Sequence, residues 1–150
     1  MKVYRISAIT LKVKDMEKSC SLYSRIPGFR LTYGGSPSDH FTTFEIGEGN
    51  MSTTYLNLEL MREKENDGSD LYKKSNVEKV KVNDDFGRVI FYAENVDELY
   101  SYMKRDEYIS NSIAFENEPT NAPWGERFFH IREPNGYELS FAQPLSQMNQ

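Results

Sequence analysis

Residues 122–141 constrain the fold more than any other part of the chain. Glu126-Arg127-Phe128-Phe129-His130-Ile131-Arg132 and Tyr137-Glu138-Leu139-Ser140-Phe141 are alternating, aromatic-rich runs on either side of Glu133-Pro134-Asn135-Gly136. A proline followed two residues later by a glycine that can take positive φ closes such runs into a hairpin. Alternation gives each strand one apolar and one polar face. The hairpin must therefore lay one side on a core and can offer the other to solvent or a ligand.

The rest of the chain reads as one supersecondary unit used twice. Residues 4–13 alternate as a strand, Asp15 is a good helix N-cap, and residues 16–24 form a short helix ending before Pro27-Gly28. Strands follow at 29–33, 41–46 and 53–61, separated by Gly34-Gly35-Ser36-Pro37-Ser38 and Gly47-Glu48-Gly49-Asn50. After a polar, weakly periodic stretch, a strand at 87–93 leads through Asn95 into a helix at 96–105, then strands at 113–117, 126–132 and 137–142. Val13-Lys14-Asp15-Met16 and Ala93-Glu94-Asn95-Val96 occupy equivalent strand-to-helix junctions, so each half reads β-α-β-β-β and the chain reads as a duplication. The boundaries are about 1–61 for the first module, 62–85 for a charged linker with a short extended piece at 76–82, and 86–145 for the second.

Composition bounds the partners. The 150 residues are 38% apolar and 13% aromatic, sufficient for a core and too much for a disordered chain. A net charge of −5 argues against nucleic acid and mildly favours a cationic ligand. No apolar run approaches the roughly 20 residues that cross a bilayer. A lone Cys20 permits no internal disulfide and suits a reducing cytoplasm; in a helix it reads as a packed small residue rather than a nucleophile.

The segment Pro123-Trp124-Gly125, Arg127-Phe128 and Glu133-Pro134-Asn135-Gly136 resembles a signature of the vicinal oxygen chelate superfamily, which includes glyoxalase I, bleomycin-resistance proteins and extradiol dioxygenases. Leu11-Lys12-Val13-Lys14-Asp15-Met16, Leu22-Tyr23 and Pro27-Gly28-Phe29 are similar to the opening of glyoxalase I. Phe86-Gly87-Arg88 resembles the start of its second module, and Tyr55-Leu56-Asn57-Leu58-Glu59-Leu60 its fourth strand. The resemblance implies an α+β fold of two tandem βαβββ modules whose curved mixed sheet surrounds a cleft, in one domain spanning 1–150.

Metal-dependent members of that superfamily hold a divalent ion from four strand positions. Carried over by the resemblance, these fall on Ala8, Glu59, Arg88 and Ser140. Alanine has no donor, a serine hydroxyl is a poor ligand, and a guanidinium is a permanent cation. Two unit charges 4 Å apart repel by about 4 kcal/mol at an effective dielectric near 20, and a divalent ion doubles that. The expectation is a protein without metal or other cofactor. A carboxylate placed near Arg88 would be stabilised by it, so a Glu59–Arg88 pair is expected across the cleft.

Alternation turns Thr10, Lys12, Tyr55, Asn57, Glu59, Met61, Arg88, Ile90, Tyr92, Glu138 and Ser140 one way, and Leu11, Val13, Leu56, Leu58, Val89, Leu139 and Phe141 the other. The first set mixes aromatic and polar groups as a small-molecule pocket does. Tyr55, Asn57, Glu59, Arg88, Tyr92 and Ser140 are the expected cleft residues, with Trp124 either capping the cleft or packing beneath a loop. His40 and His130 match no ligand position; His40 at the cleft mouth could accept a proton. Three readings follow. One is a metal-free, homodimeric binding protein of the bleomycin-resistance kind; another is a glyoxalase-type lyase or isomerase with Glu59 as general base; the third is an interaction module without small ligand.

Overall fold

The computed structural model describes residues 1–2, 5–48, 53–62 and 86–148. The first module runs β1 (Ala8–Val13), α1 (Met16–Tyr23), β2 (Phe29–Tyr33), β3 (Phe41–Ile46) and β4 (Thr54–Leu60). The second runs β5 (Arg88–Tyr92), α2 (Val96–Arg105), α3 (Glu107–Ser112), β6 (Ala114–Phe115), β7 (Thr120–Asn121), β8 (Glu126–Arg132) and β9 (Glu138–Pro144). Strand order is β1-β4-β3-β2 in one sheet and β5-β9-β8-β6 in the other, with β7 beside β8. In each sheet the first strand of the module lies parallel to its last and the remaining neighbours are antiparallel. This is the duplicated α+β architecture expected from the sequence.

Local chemistry explains the element ends. Asp15 and Asn95 sit in extended conformations and accept from the backbone N–H groups of Lys18 and Glu98, satisfying amides that the first helical turn leaves unpaired. The same cap, Asp106 to the Ile109 amide, starts the six-residue α3, which is too short to show a helical period in the sequence. The expected strand at 113–117 shrinks to two residues, and β7 is likewise too brief to alternate. The proposed extended piece at 76–82, and the linker beyond Arg62, lie outside the described residues.

The inner sheet faces build one core. Leu11, Val13, Phe44, Leu56 and Leu58 of the first sheet are buried with Val89, Phe129, Ile131, Leu139 and Phe141 of the second. Met16, Leu22 and Tyr23 from α1, and Val96 and Met103 from α2, complete it. Each such side chain contributes about 1.5–3 kcal/mol by leaving water. Cys20 is buried as well, its Sγ 3.5 Å from Thr42 Oγ1, and burial pushes its thiol pKa up.

The turn between β8 and β9 joins the modules. Glu133 is 3% exposed, and its carboxylate accepts from the Asn135 amide, Asn135 Nδ2, the Tyr137 amide and, at 3.3 Å, the hydroxyl of fully buried Tyr23 on α1. Asn135 Oδ1 in turn accepts from the Lys14 amide at 2.8 Å. The Tyr137 hydroxyl meets both the N–H and the C=O of Lys12 at 2.9 Å. Gly136 takes φ +91°, a conformation that side chains rarely adopt, so the hairpin can close with these groups aimed at β1.

Candidate functional site

Alternation leaves the outer face of the second sheet to Arg88, Ile90 and Tyr92 on β5, Glu126, Phe128, His130 and Arg132 on β8, and Glu138 and Ser140 on β9. Arg88 is the hub. Its Nη1 donates to Ser140 Oγ at 3.1 Å, and its Nη2 donates to Glu138 at 3.0 Å and Glu116 at 3.4 Å. Arg132 binds the other oxygens of the same two carboxylates, Glu116 at 3.1 Å and Glu138 at 2.5 Å. Two guanidiniums and two carboxylates thus alternate in a closed ring. The expected Glu59–Arg88 pair does not form: Glu59 lies on the other sheet and binds Lys12 at 2.6 Å. Lys12 is the cross-strand neighbour of Glu59, whereas β4 and β5 belong to different sheets and Arg88 finds carboxylates on its own.

His130, which matches no expected ligand position, belongs to this face. Its cross-strand partner on β9 is Ser140, and His130 Nδ1 lies 2.6 Å from Ser140 Oγ. Arg88 donates to the same oxygen, so Ser140 Oγ is shared between the guanidinium and the ring, and the imidazole tautomer sets which of Oγ and Nδ1 donates. Burial lowers the His130 pKa below its ordinary value; the Arg88 charge adds to this and the carboxylates of Glu116 and Glu138 oppose it. Burial and the Arg88 charge thus favour the neutral imidazole. The signal was present in the sequence: closing the hairpin at Glu133–Gly136 sets Ser140 opposite His130.

Beside the ring runs an aromatic ladder. Trp124 stacks on Phe128 with centroids 5.8 Å apart, and Phe128 meets the His130 ring at 4.6 Å. Glu126 accepts from Trp124 Nε1 at 2.9 Å and from the Tyr92 hydroxyl at 2.7 Å, and that bond raises the Tyr92 phenol pKa. Trp124 is 70% exposed and Tyr92 72%, so the indole does not pack beneath a loop. The structure therefore gathers Arg88 with Ser140, and Tyr92 with Trp124, on one face. Glu126, Phe128 and His130 join them.

The first sheet carries the other candidates. Thr43 Oγ1 donates to Asn57 Oδ1 at 2.9 Å, and Asn57 Nδ2 donates to Thr10 Oγ1 at 3.3 Å. Tyr55 is 38% exposed opposite Ala8, and His40 is exposed. Register decides which residues are equivalent. Ala8 and Arg88 each precede their helix N-cap by seven residues, Ala8 pairs with Tyr55, and Arg88 pairs with Glu138. The residue matching Ser140 is therefore Asn57, and Glu59 lies one pleat further along. Ala8, Asn57, Arg88 and Ser140 offer no carboxylate and no imidazole, so this donor set does not fit a divalent ion. Among the described residues, no group of three or more His, Cys, Asp or Glu side chains can hold one.

Residues 5–141 match the family model of the glyoxalase/bleomycin resistance protein/dioxygenase superfamily. Solved structures agree at the level of fold. A superfamily member from Sphaerobacter thermophilus has 19% identity and a TM-score of 0.59, covering 93% of this chain and 97% of that one. TioX from Micromonospora has 16% identity and a TM-score of 0.60, covering 95% and 100%. A hypothetical protein from S. aureus has 18% identity and a TM-score of 0.58, covering 93% and 96%. No curated protein matches the chain.

Proposed function

The chain belongs to the glyoxalase/bleomycin resistance protein/dioxygenase superfamily, and we propose that it binds a flat small molecule on its outer sheet faces without a metal ion. The observation that carries this reading is the Arg88 ring. A guanidinium bonded to Glu116, Glu138 and Ser140 stands where metal-dependent relatives are expected to place a ligand. Next to it the Trp124–Phe128–His130 ladder offers ring faces to solvent, as stacking requires. The Glu126 carboxylate beside Trp124 and the net charge of −5 favour a ligand bearing positive charge. Sequestration of such a ligand is the role we infer.

In this reading the protein is a homodimer. Tyr33, Ile90, Tyr92 and Trp124 are each more than 60% exposed, and a second copy laid on these faces would cover them. Tyr55, Asn57 and Glu59 of one copy would then contribute to a cleft with Arg88, Tyr92, Trp124 and Ser140 of the other. The chain acts as one domain, with 62–85 joining the modules. No helix among the described residues is long and apolar enough to cross a membrane, and a lone buried cysteine suits the cytoplasm.

Elemental analysis of the purified protein tests the metal-free part, and stoichiometric zinc, nickel or iron would overturn it. Titration of the single Trp124 with planar aromatic cations tests binding: saturable quenching is expected, with a thermal shift equivalent to about 2.7 kcal/mol at 100 times Kd. Unchanged fluorescence across such a panel would leave the interaction-module reading. Light scattering should return twice the 17.5 kDa chain mass.

One observation favours a second reading, a lyase or isomerase of the glyoxalase type. His130, whose neutral form burial favours and whose ring meets Ser140, is a better placed proton acceptor than Glu59, whose carboxylate is occupied by Lys12. Turnover of the methylglyoxal–glutathione adduct that disappears in His130→Gln would favour this reading over sequestration.

A further inference from the structure

A cavity of about 890 Å³ lies between the modules, reaching the outer face of the second sheet at Tyr92. The α1–β2 corner and the end of β3 form one wall, and β5 with the first turns of α2 forms the other. Its size falls within the range of small-molecule pockets, roughly 300–1,000 Å³. The floor is aromatic: Phe91 meets Phe29 edge-on at 5.2 Å and stacks on Phe141 at 5.5 Å. Phe29 and Phe141 are buried while Phe91 is only half-buried, so a ring in the middle of the core row remains open to the cavity it lines.

The rim is acidic, with Glu48, Glu94, Asp97 and Glu98 against Arg30 and Arg105. Several of these charges are already engaged. Arg30 is held by Glu45 and the Gly47 carbonyl, and Asp97 by a two-pronged contact from Arg127. Among the described residues no ion pair engages Glu94 or Glu98, both exposed on the cavity side of the β5–α2 junction. A neutral apolar guest would use the floor and leave these carboxylates idle; an anion would meet their repulsion.

We propose that this cavity is a second ligand site, one that takes an organic cation. The apolar part lies on the Phe29–Phe91–Phe141 floor and the ammonium points to Glu94 and Glu98. The cavity lining contains neither Trp124 nor Arg88 and shares Tyr92 with the outer face, so the two sites are neighbours with separate floors.

The test uses the intact protein and two probes of equal shape, (1-naphthylmethyl)ammonium and uncharged 1-naphthylmethanol. Calorimetry and amide chemical-shift mapping follow each titration. The cation is expected to bind at least fivefold more tightly than the alcohol, with shifts at Gly28, Gly47 and Ser101 and none at the Trp124 indole N–H. The double variant Glu94→Gln/Glu98→Gln should weaken the cation by about three- to tenfold, as two exposed ion pairs imply, and leave the alcohol unchanged. Ser101→Trp, an exposed helix position at the cavity wall, should obstruct both probes. Equal affinity for the two probes overturns the proposal, as do unaltered cation binding in the double variant or shifts centred on Trp124.

Discussion

The two modules share a scaffold and use it differently. Equivalent inner positions are all apolar: Ile9 and Val89, Leu11 and Phe91, Leu56 and Leu139, Leu58 and Phe141. Equivalent outer positions have parted: Ala8 and Arg88, Tyr55 and Glu138, Asn57 and Ser140, Thr43 and His130. At these positions the first module sets a neutral hydroxyl–amide ladder, and the second a charged ring with an imidazole beside it. The inner faces must fill a shared core at close-packed density, which admits only apolar volume. The outer faces face no such demand, so their chemistry is free to specialise. The fold is a property of both modules, and the candidate site chiefly of the second.

The largest effect should come where the modules meet. Glu133→Ala removes an acceptor from four donors and leaves the Tyr23 hydroxyl unpaired in a fully buried place. We expect a loss of about 3 kcal/mol or more in denaturant unfolding, since stranded buried donors cost the most. Tyr23→Phe removes only the hydroxyl and should cost about 1–2 kcal/mol. If Glu133→Ala costs less than Tyr23→Phe, the turn is a local hairpin feature and not the clasp that couples the two halves.

A smaller effect separates the two outer faces. Arg88→Ala leaves Glu116 and Glu138 with Arg132 alone, in a site where the Arg88 side chain is 24% exposed. The expected loss is about 2 kcal/mol, in the range for hydrogen bonds to charged groups. In the first module, Lys12→Ala breaks a pair whose side chains are 54% and 40% exposed, so it should cost under about 0.5 kcal/mol. Raising salt should widen the gap slightly, because screening acts mainly on the more exposed Lys12–Glu59 pair. Equal losses for the two variants would erase the asymmetry between the modules.

Much of this was legible in the sequence, for stated reasons. Period-two alternation separated Leu11, Leu56, Val89 and Phe141 from Thr10, Asn57, Arg88 and Tyr92, because the pleat turns successive side chains to opposite faces. Asp15 and Asn95 marked two helix starts, because a cap needs only one residue. The short α3 escaped, being shorter than two helical turns. Misplacing the partner of Arg88 had a different cause. Alternation gives the face of a residue but not its neighbours, which depend on strand order and register; Glu59 and Arg88 shared a polar character and no sheet. His130 was legible in principle and was missed because it was weighed as a metal ligand rather than as the cross-strand neighbour of Ser140.

The least effect, and the most specific, is the titration of His130. Its folded pKa lies below the usual histidine value of about 6.5, first through burial and then through Arg88. A group with a depressed folded pKa contributes stability that is present above the unfolded pKa and is lost as pH falls through the folded one. Unfolding free energy should therefore decline as pH drops below about 6.5, and His130→Gln should remove that portion of the slope. Proton NMR gives the midpoint directly, and with two histidines in the chain assignment needs one variant. Arg88→Gln takes away the positive neighbour while Glu116 and Glu138 remain, so the midpoint should move upward. A midpoint that stays put in Arg88→Gln would mean that burial alone sets it. The charged ring and the imidazole would then be two separate features of the face, and the contrast with the neutral Thr43–Asn57 ladder would reduce to local polarity.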